Sequence, residues 1–589
     1  MFLSRNAVVA VLATLLSLPA LAAEALTTVA ERSGFLETGR YDEVPTLCAA
    51  YAAKYPDAVR CETFGTSPEG RPMMLMIVSR GGAFTAGAAK ADKRPVLLIQ
   101  GGIHAGEIDG KDAGFLALRE MLDGKVAKGA LDKLVLLFVP VFNVDGHERF
   151  GAWNRPNQRG PREMGWRTTA QNLNLNRDYV KADAPEMQAM LGLIQRWDPI
   201  LYADLHVTDG AQFEHDVSFN IEPLHGNDDG LRAQGKALRA GLLKKLTAAG
   251  SLPLGFYPSF VETDNPASGF EEGVPPPRFS HAYAALRNRI GLLVETHAWK
   301  DYPTRVRITR NSIIAMVELA QQQGPRWLAA AASADVRSAQ LGGHALAVSW
   351  EAFGAARTIA FRGYAYTRML SEISGQSVTR YDETRPQVWN IPLRDQIRPS
   401  LEVRVPKAGY LVPAALAAMV AEKLVLHGIR YRTLEQPLPA AKVDAFRADS
   451  VERTADSFEG RQLLSLKGTW QPETRAIPAG SLFVPIAQPL ARVAVALLDP
   501  QAPDALAAWG FFTAAFERKE YLEDYVTEDI ARAQLAADPA LKAAFAAKLA
   551  ADPAFAASAA LRLAFFARRH ASWDERLNLY PVLRSDTAP

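Results

Sequence analysis

Val96-Leu97-Leu98-Ile99-Gln100-Gly101-Gly102-Ile103-His104-Ala105-Gly106-Glu107 is the stretch from which the fold is read. Four aliphatic residues without polar alternation predict a strand covered on both faces, the habit of a largely parallel sheet. The glycine pair ends that strand, and a histidine and a glutamate three residues apart follow at once. Three further runs share the pattern: Leu134 to Val141, Ile200 to Leu205 and Ile290 to Val294. Helical periodicity between them, at Asp109 to Leu122 and Ala184 to Trp197, makes the order α/β. The expected core is a mixed, largely parallel central sheet with helices on both faces.

Outward from this core, Val44 to Tyr55 predicts a helix, and Val59 to Val78 predicts two strands about the turn Ser67-Pro68-Glu69-Gly70. Gly226 to Gly250 is helical in pattern, and the Pro- and Gly-rich stretch Ser251 to Pro277 predicts an irregular excursion of the kind that borders sites. A last helix from Val306 to about Gln323, stopped by Gly324-Pro325, closes a first domain over residues 23–324. Residues 343–589 read as an accessory α+β domain. Its strands are expected at Arg357 to Phe361, Leu401 to Val405 and Ser481 to Pro485, and a helix at Pro413 to His427, capped by Gly428. It ends in Ala-rich helices that begin at Asp538-Pro539 and Asp552-Pro553, each an N-cap acid before a proline.

A chain of 589 residues exceeds what one core usually organises, and 48% hydrophobic with 22% charged residues is ordinary for a folded protein. A formal charge of +2 gives no electrostatic case for nucleic acid. Residues 1–22 carry a basic start, an apolar run from Ala7 to Leu18 and the small-x-small site Ala20-Leu21-Ala22, which predict a cleaved export signal and a secreted or periplasmic protein. The apolar run is too short to span a membrane, and no later segment is expected to span one. Export favours pairing of Cys48 with Cys61, which would tie the first helix to the first strand; two separate buried thiols are the alternative.

The chemistry is suggested by position. A His-x-x-Glu pair alone is a weak signal, but His104 and Glu107 lie just past one buried strand, His206 ends a second and Glu295 ends a third. Open α/β sheets gather ligands outside the carboxyl ends of their strands, so these distant residues are expected to meet. Two imidazoles and a carboxylate fill three of zinc's four positions and leave one open, as catalytic zinc requires. Glu295 is then the carboxylate that takes a proton from water and passes it to the leaving amine. His215-Asp216 and His147-Glu148 read as loop residues, and His297, two beyond Glu295, as a structural neighbour.

The order His-x-x-Glu, then Asn-Arg, then a lone strand-end His and a strand-terminal Glu resembles the zinc metallocarboxypeptidase family, related to carboxypeptidase A, over roughly Tyr41 to Gln323. The turn Gly65-Thr66-Ser67-Pro68-Glu69-Gly70-Arg71 resembles the family's early turn. The resemblance implies one Zn2+ per chain on His104, Glu107 and His206, with Glu295 as general base and acid, and a peptide substrate. It implies that Asn176-Arg177 binds the substrate's terminal carboxylate, a task that suits a planar guanidinium. It also implies an upstream arginine that stabilises the oxyanion; by spacing this is Arg159, with Arg155 next, while Arg162 and Arg167 read as loop residues. Asp178 replaces the second Asn that many members carry. The family's substrate-binding tyrosine has two candidate counterparts, Tyr257 and Tyr283, both better read as packing residues.

Three activities fit: removal of C-terminal residues from peptides, a zinc amidohydrolase acting on acyl-amino acids or peptidoglycan stem peptides, and a binding protein that keeps the fold without turnover. The complete ligand set and Arg177 favour the first.

Overall fold

The structure is a computed structural model and describes residues 26–208 and 210–589. The expected export signal lies outside these residues. No helix among the described residues is long and apolar enough to cross a membrane.

Among the described residues, nine strands occupy the first half: β1 (Val59–Thr66), β2 (Pro72–Val78), β3 (Val96–Gly101), β4 (Val135–Val139), β5 (Leu201–Thr208), β6 (Val217–Glu222), β7 (Pro253–Leu254), β8 (Phe270–Glu271) and β9 (Ile290–His297). All but β8 form one sheet in the order β1-β2-β4-β3-β5-β9-β6-β7. The four aliphatic runs are its centre, β4, β3, β5 and β9, mutually parallel and buried throughout. β2 joins β4 and β6 joins β9 antiparallel, so the sheet is mixed.

Helices cover both faces, as alternate residues reveal. A Cβ on Gly110, in the helix Asp109–Leu122, would lie 3.0 Å from the Leu205 side chain. On the opposite face, a Cβ on Gly291 would meet the His281 backbone of the helix Ser280–Leu286. The chain leaves β3 for β4 on one side and returns to β5 on the other, so the strand order switches at β3. The crevice beyond such a switch is where open sheets hold ligands.

Cys48 and Cys61 form a disulfide, with a Cα–Cα separation of 5.9 Å, between the helix Glu43–Lys54 and β1. The helix expected to stop at Gly324-Pro325 instead runs from Tyr302 to Ser338 with Pro325 inside it. Gly324 is not a stop signal here: a Cβ would meet Pro95 Cγ at 2.4 Å, so the glycine permits close packing. Trp327, Ala331, Ala334 and Ser338 keep one helix face buried beyond the proline. That burial outweighs a penalty of about 3 kcal/mol for an interior proline.

After this helix the chain becomes largely antiparallel. β10 (Ala345–Ala352) pairs with β13 (Ile397–Arg404), and β11 (Arg357–Leu370) with β12 (Ser377–Arg394) make a long hairpin. A six-stranded antiparallel sheet includes a second long hairpin, 438–453 with 464–477. Helices over 524–537, 539–551, 553–557 and 559–567 follow, with Asp538 and Asp552 capping the second and third. The two halves are joined by more than the helix. β12 adds to β8 in parallel through Leu393 and Phe270, and Phe213, Phe270, Phe361 and Trp389 share one apolar cluster.

Candidate metal centre and cleft

The chain turns sharply after β3 and brings His104 and Glu107 back toward the sheet. Gly106 allows that turn, since a Cβ there would meet Arg155 Cγ at 2.6 Å and Gly165 O at 2.7 Å. His206 and Glu295 sit opposite each other in the parallel β5–β9 register. One ligand atom from each of His104, Glu107 and His206 lies within 4.8 Å of the others, and all three side chains are buried. His104 Nδ1 stands 3.0 Å from Glu107 Oε1 and His206 Nδ1 2.9 Å from Glu107 Oε2.

The ring nitrogens turned away from this cluster each face an acceptor oxygen. His104 Nε2 is 3.1 Å from Asn174 Oδ1, and His206 Nε2 is 2.9 Å from Asp204 Oδ2. The Asn174 contact is a hydrogen bond of the kind that fixes the tautomer of a ligating imidazole, whereas the Asp204 oxygen lies close to its ring without hydrogen-bond geometry. Although close to Glu107, His104 Nδ1 has no partner with hydrogen-bond geometry, so a buried lone pair faces the cluster. An N,N,O donor set with an orphaned buried nitrogen fits zinc.

Charges in the cluster follow its burial. Burial lowers the His104 pKa to about 4, so the ring is neutral. Burial opposes charge on His206, but Asp204 and Glu107 outweigh it and raise that ring. Burial likewise opposes charge on Glu107, yet His104 and Arg155 hold its carboxyl well below the usual range. Glu295 is raised, chiefly by burial, with Glu107 adding to the effect.

A cleft of about 470 Å³ opens over the cluster and is lined by His104, Glu107, His206 and Glu295. Asn176 and Arg177 reach the same cleft from the short helix Leu175–Arg177. Asn176 Oδ1 accepts from Ser280 N at 3.3 Å. The Arg177 guanidinium lies 4.3 Å over the Phe279 ring and forms no ion pair among the described residues. The irregular stretch expected to border a site does line the cleft, through Gly255 to Tyr257 and Glu271 to Pro276.

The arginines are placed differently from the spacing argument. Arg159 does not reach the cluster: its backbone N–H binds Ala298 O and its side chain pairs with Glu383 Oε2 at 2.9 Å. Arg155 does, with Nη1 3.0 Å from Glu107 Oε1 and Nη2 donating to Val207 O at 3.1 Å. Arg167, read as a loop residue, lines the cleft with Nη1 3.3 Å from Glu107 Oε1. Residues 149–174 contain only isolated bridges and turns, and counting positions along such a path predicts no geometry.

Among the tyrosines, Tyr257 lines the cleft with its hydroxyl 3.1 Å from Thr208 Oγ1. Tyr283 is buried against His427. His297 stacks on Phe213 at 4.0 Å, and His147 bonds Gly39 O. His215 Nδ1 contacts Leu252 O at 3.0 Å. Asp204 and His281 escaped the sequence reading. Asp204 lies two residues before His206 on one strand, a spacing that signals a shared face; His281, on a helix over that face, gave no such signal.

Residues 45–220 match the family model described as zinc carboxypeptidase. A carboxypeptidase B of Astacus astacus is 30% identical over 108 residues, covering 18% of this chain and 33% of the relative. The chain thus spans about a third of the length of that curated relative. Among solved structures, carboxypeptidase A of Helicoverpa armigera matches at 15% identity and a TM-score of 0.36, over 53% of this chain and 81% of its own. A metallo-carboxypeptidase of Burkholderia cenocepacia matches at 14% identity and a TM-score of 0.35, over 47% and 68%. The span that carries His104, Glu107 and His206 is thus the one that matches the zinc carboxypeptidase family model.

Proposed function

We propose that the protein is an exported zinc metallocarboxypeptidase that hydrolyses the C-terminal peptide bond of peptides, with residues 343–589 as an accessory region. The observation that carries this reading is one cleft holding the His104–Glu107–His206 cluster, the Glu295 carboxylate and the Arg177 guanidinium. His104, Glu107 and His206 would hold one zinc ion, which when bound supplies Lewis-acid polarisation of the scissile carbonyl.

The remaining work falls to the chain. Arg177 binds the terminal carboxylate and Asn176 supports it, which selects exopeptidase over internal cleavage. Glu295 accepts the proton of the attacking water on its carboxylate and returns it to the leaving amine. Arg167, open to the cleft, is positioned to meet the developing oxyanion, while Arg155 is buried against Glu107 and orients it.

The cleft floor suggests a preference for the departing side chain. Ser218 pairs with Glu295 across β6 and β9, and Glu222 follows four residues on along the same face. That places Glu222 about 13 Å along the strand from the Glu295 rung. Its carboxyl is buried, lines the cleft and forms no ion pair among the described residues; burial pushes it up to about 8. A cationic side chain that entered here would restore its charge and gain a partner. Lysine and arginine at the substrate C-terminus are therefore the favoured side chains.

The decisive assay combines metal content with product analysis. Stoichiometric zinc and stepwise release of C-terminal residues are expected, with activity abolished by chelation. Glu295→Gln should keep its zinc and lose roughly a hundred- to ten-thousand-fold in kcat. Equal cleavage of free and amidated peptides would refute the role given to Arg177.

A further inference from the structure

The hairpin 438–453/464–477 projects its turn, residues 454–463, onto the loop that precedes Asn176-Arg177. Arg461 grips Asp183 with Nε to Oδ2 at 2.6 Å and Nη2 to Oδ1 at 2.8 Å, a bidentate pair. Its guanidinium also lies 3.7 Å over the Phe511 ring, and Phe458 stacks on Trp509. Between these anchors stands Glu459, whose Oε2 accepts the backbone N–H of Asn174 at 2.8 Å.

Asn174 is buried, and its side-chain Oδ1 does two things: it accepts from Asn176 N at 2.9 Å and stands 3.1 Å from His104 Nε2. With Oδ1 as acceptor, the His104 proton sits on Nε2 and the Nδ1 lone pair is left for the cluster. Without the glutamate, a buried backbone donor would lose its partner, and the loop carrying Asn174 would be free to turn away. Glu459 also holds a left-handed backbone, φ +51°, unfavourable for a side chain bearing a Cβ. A glycine would relieve that strain, yet the residue present is the one whose carboxylate reaches Asn174.

We propose that Glu459, contributed by the region after residue 343, is a positioning residue for the metal centre, acting through Asn174 on His104. The inference rests on the reading of His104 as a metal ligand. It makes the C-terminal region part of the site rather than an attachment to it.

The test is zinc retention by the full-length chain against a competing chelator, read beside thermal stability. Glu459→Gly deletes the carboxylate at a backbone conformation glycine adopts freely, so Tm should hold or rise while the zinc dissociation constant rises about tenfold or more. In an Asn174→Ala background the same substitution should add nothing. Glu459→Gln keeps an acceptor oxygen without the charge and should retain zinc within about threefold of wild type. Unchanged retention in a folded Glu459→Gly protein overturns the proposal, as does full additivity with Asn174→Ala. Should Glu459→Gly not fold, Glu459→Ala takes its place, with the same expected loss of zinc and the same refutation by unchanged retention. A wild-type protein that binds no zinc would instead refute the metal reading itself.

Discussion

Asp204 Oδ2 lies 2.9 Å from His206 Nε2, two residues apart on β5 and on one face of the sheet. The other Asp204 oxygen accepts from Gln100 Nε2 at 2.9 Å, so the carboxylate is fixed from behind before it meets the imidazole. Asp204→Asn should weaken zinc binding about 10- to 100-fold while leaving the fold intact. Chelator competition measures this directly, and unchanged affinity would show that β5 alone orients the ring.

Two arginines in one loop are predicted to behave differently. Arg167 faces the cleft beside Glu107, whereas Arg159 pairs with Glu383 on the surface. Arg167→Ala should lower kcat/KM roughly a hundredfold or more, and Arg159→Ala should stay within about twofold. Kinetics of both variants on one peptide would separate them; the reverse result would restore the spacing argument.

Substrate preference should depend on the cleft floor. Glu222→Gln removes the buried carboxyl that faces an incoming cation, so kcat/KM for C-terminal lysine or arginine should fall about tenfold or more relative to leucine. A ratio unchanged by the substitution would show that side-chain choice is made elsewhere in the cleft.

Glu186 gives a pH signature away from the cleft. It is fully buried, forms no ion pair among the described residues, and burial raises its pKa from the usual 4.5 to about 7. The folded protein therefore holds a proton that the unfolded chain has released between those values. Stability from this group is fully present below the unfolded pKa and declines as pH rises through the window, by at most roughly 3 kcal/mol. Glu186→Gln should show a Tm advantage over wild type that grows from pH 5 to pH 8. A constant difference across that range would sink the assignment.

The sequence by itself determined the centre of the sheet and the convergence of His104, Glu107, His206 and Glu295. Short unbroken aliphatic runs bounded by turn residues read as strands buried on both faces, and parallel strands present their carboxyl ends to one rim. Tertiary structure decided the rest. Pro325 continues a helix because Trp327 and the residues after it are buried. Arg167 rather than Arg159 reaches Glu107 because the loop between β4 and β5 takes its path from surrounding contacts. The long hairpins went unread at their true length because their alternation is irregular and their partners lie far away: β12 finds β8, and Glu459 finds Asn174 across 285 residues. Local periodicity is written in neighbouring side chains, whereas such meetings depend on how the whole chain packs.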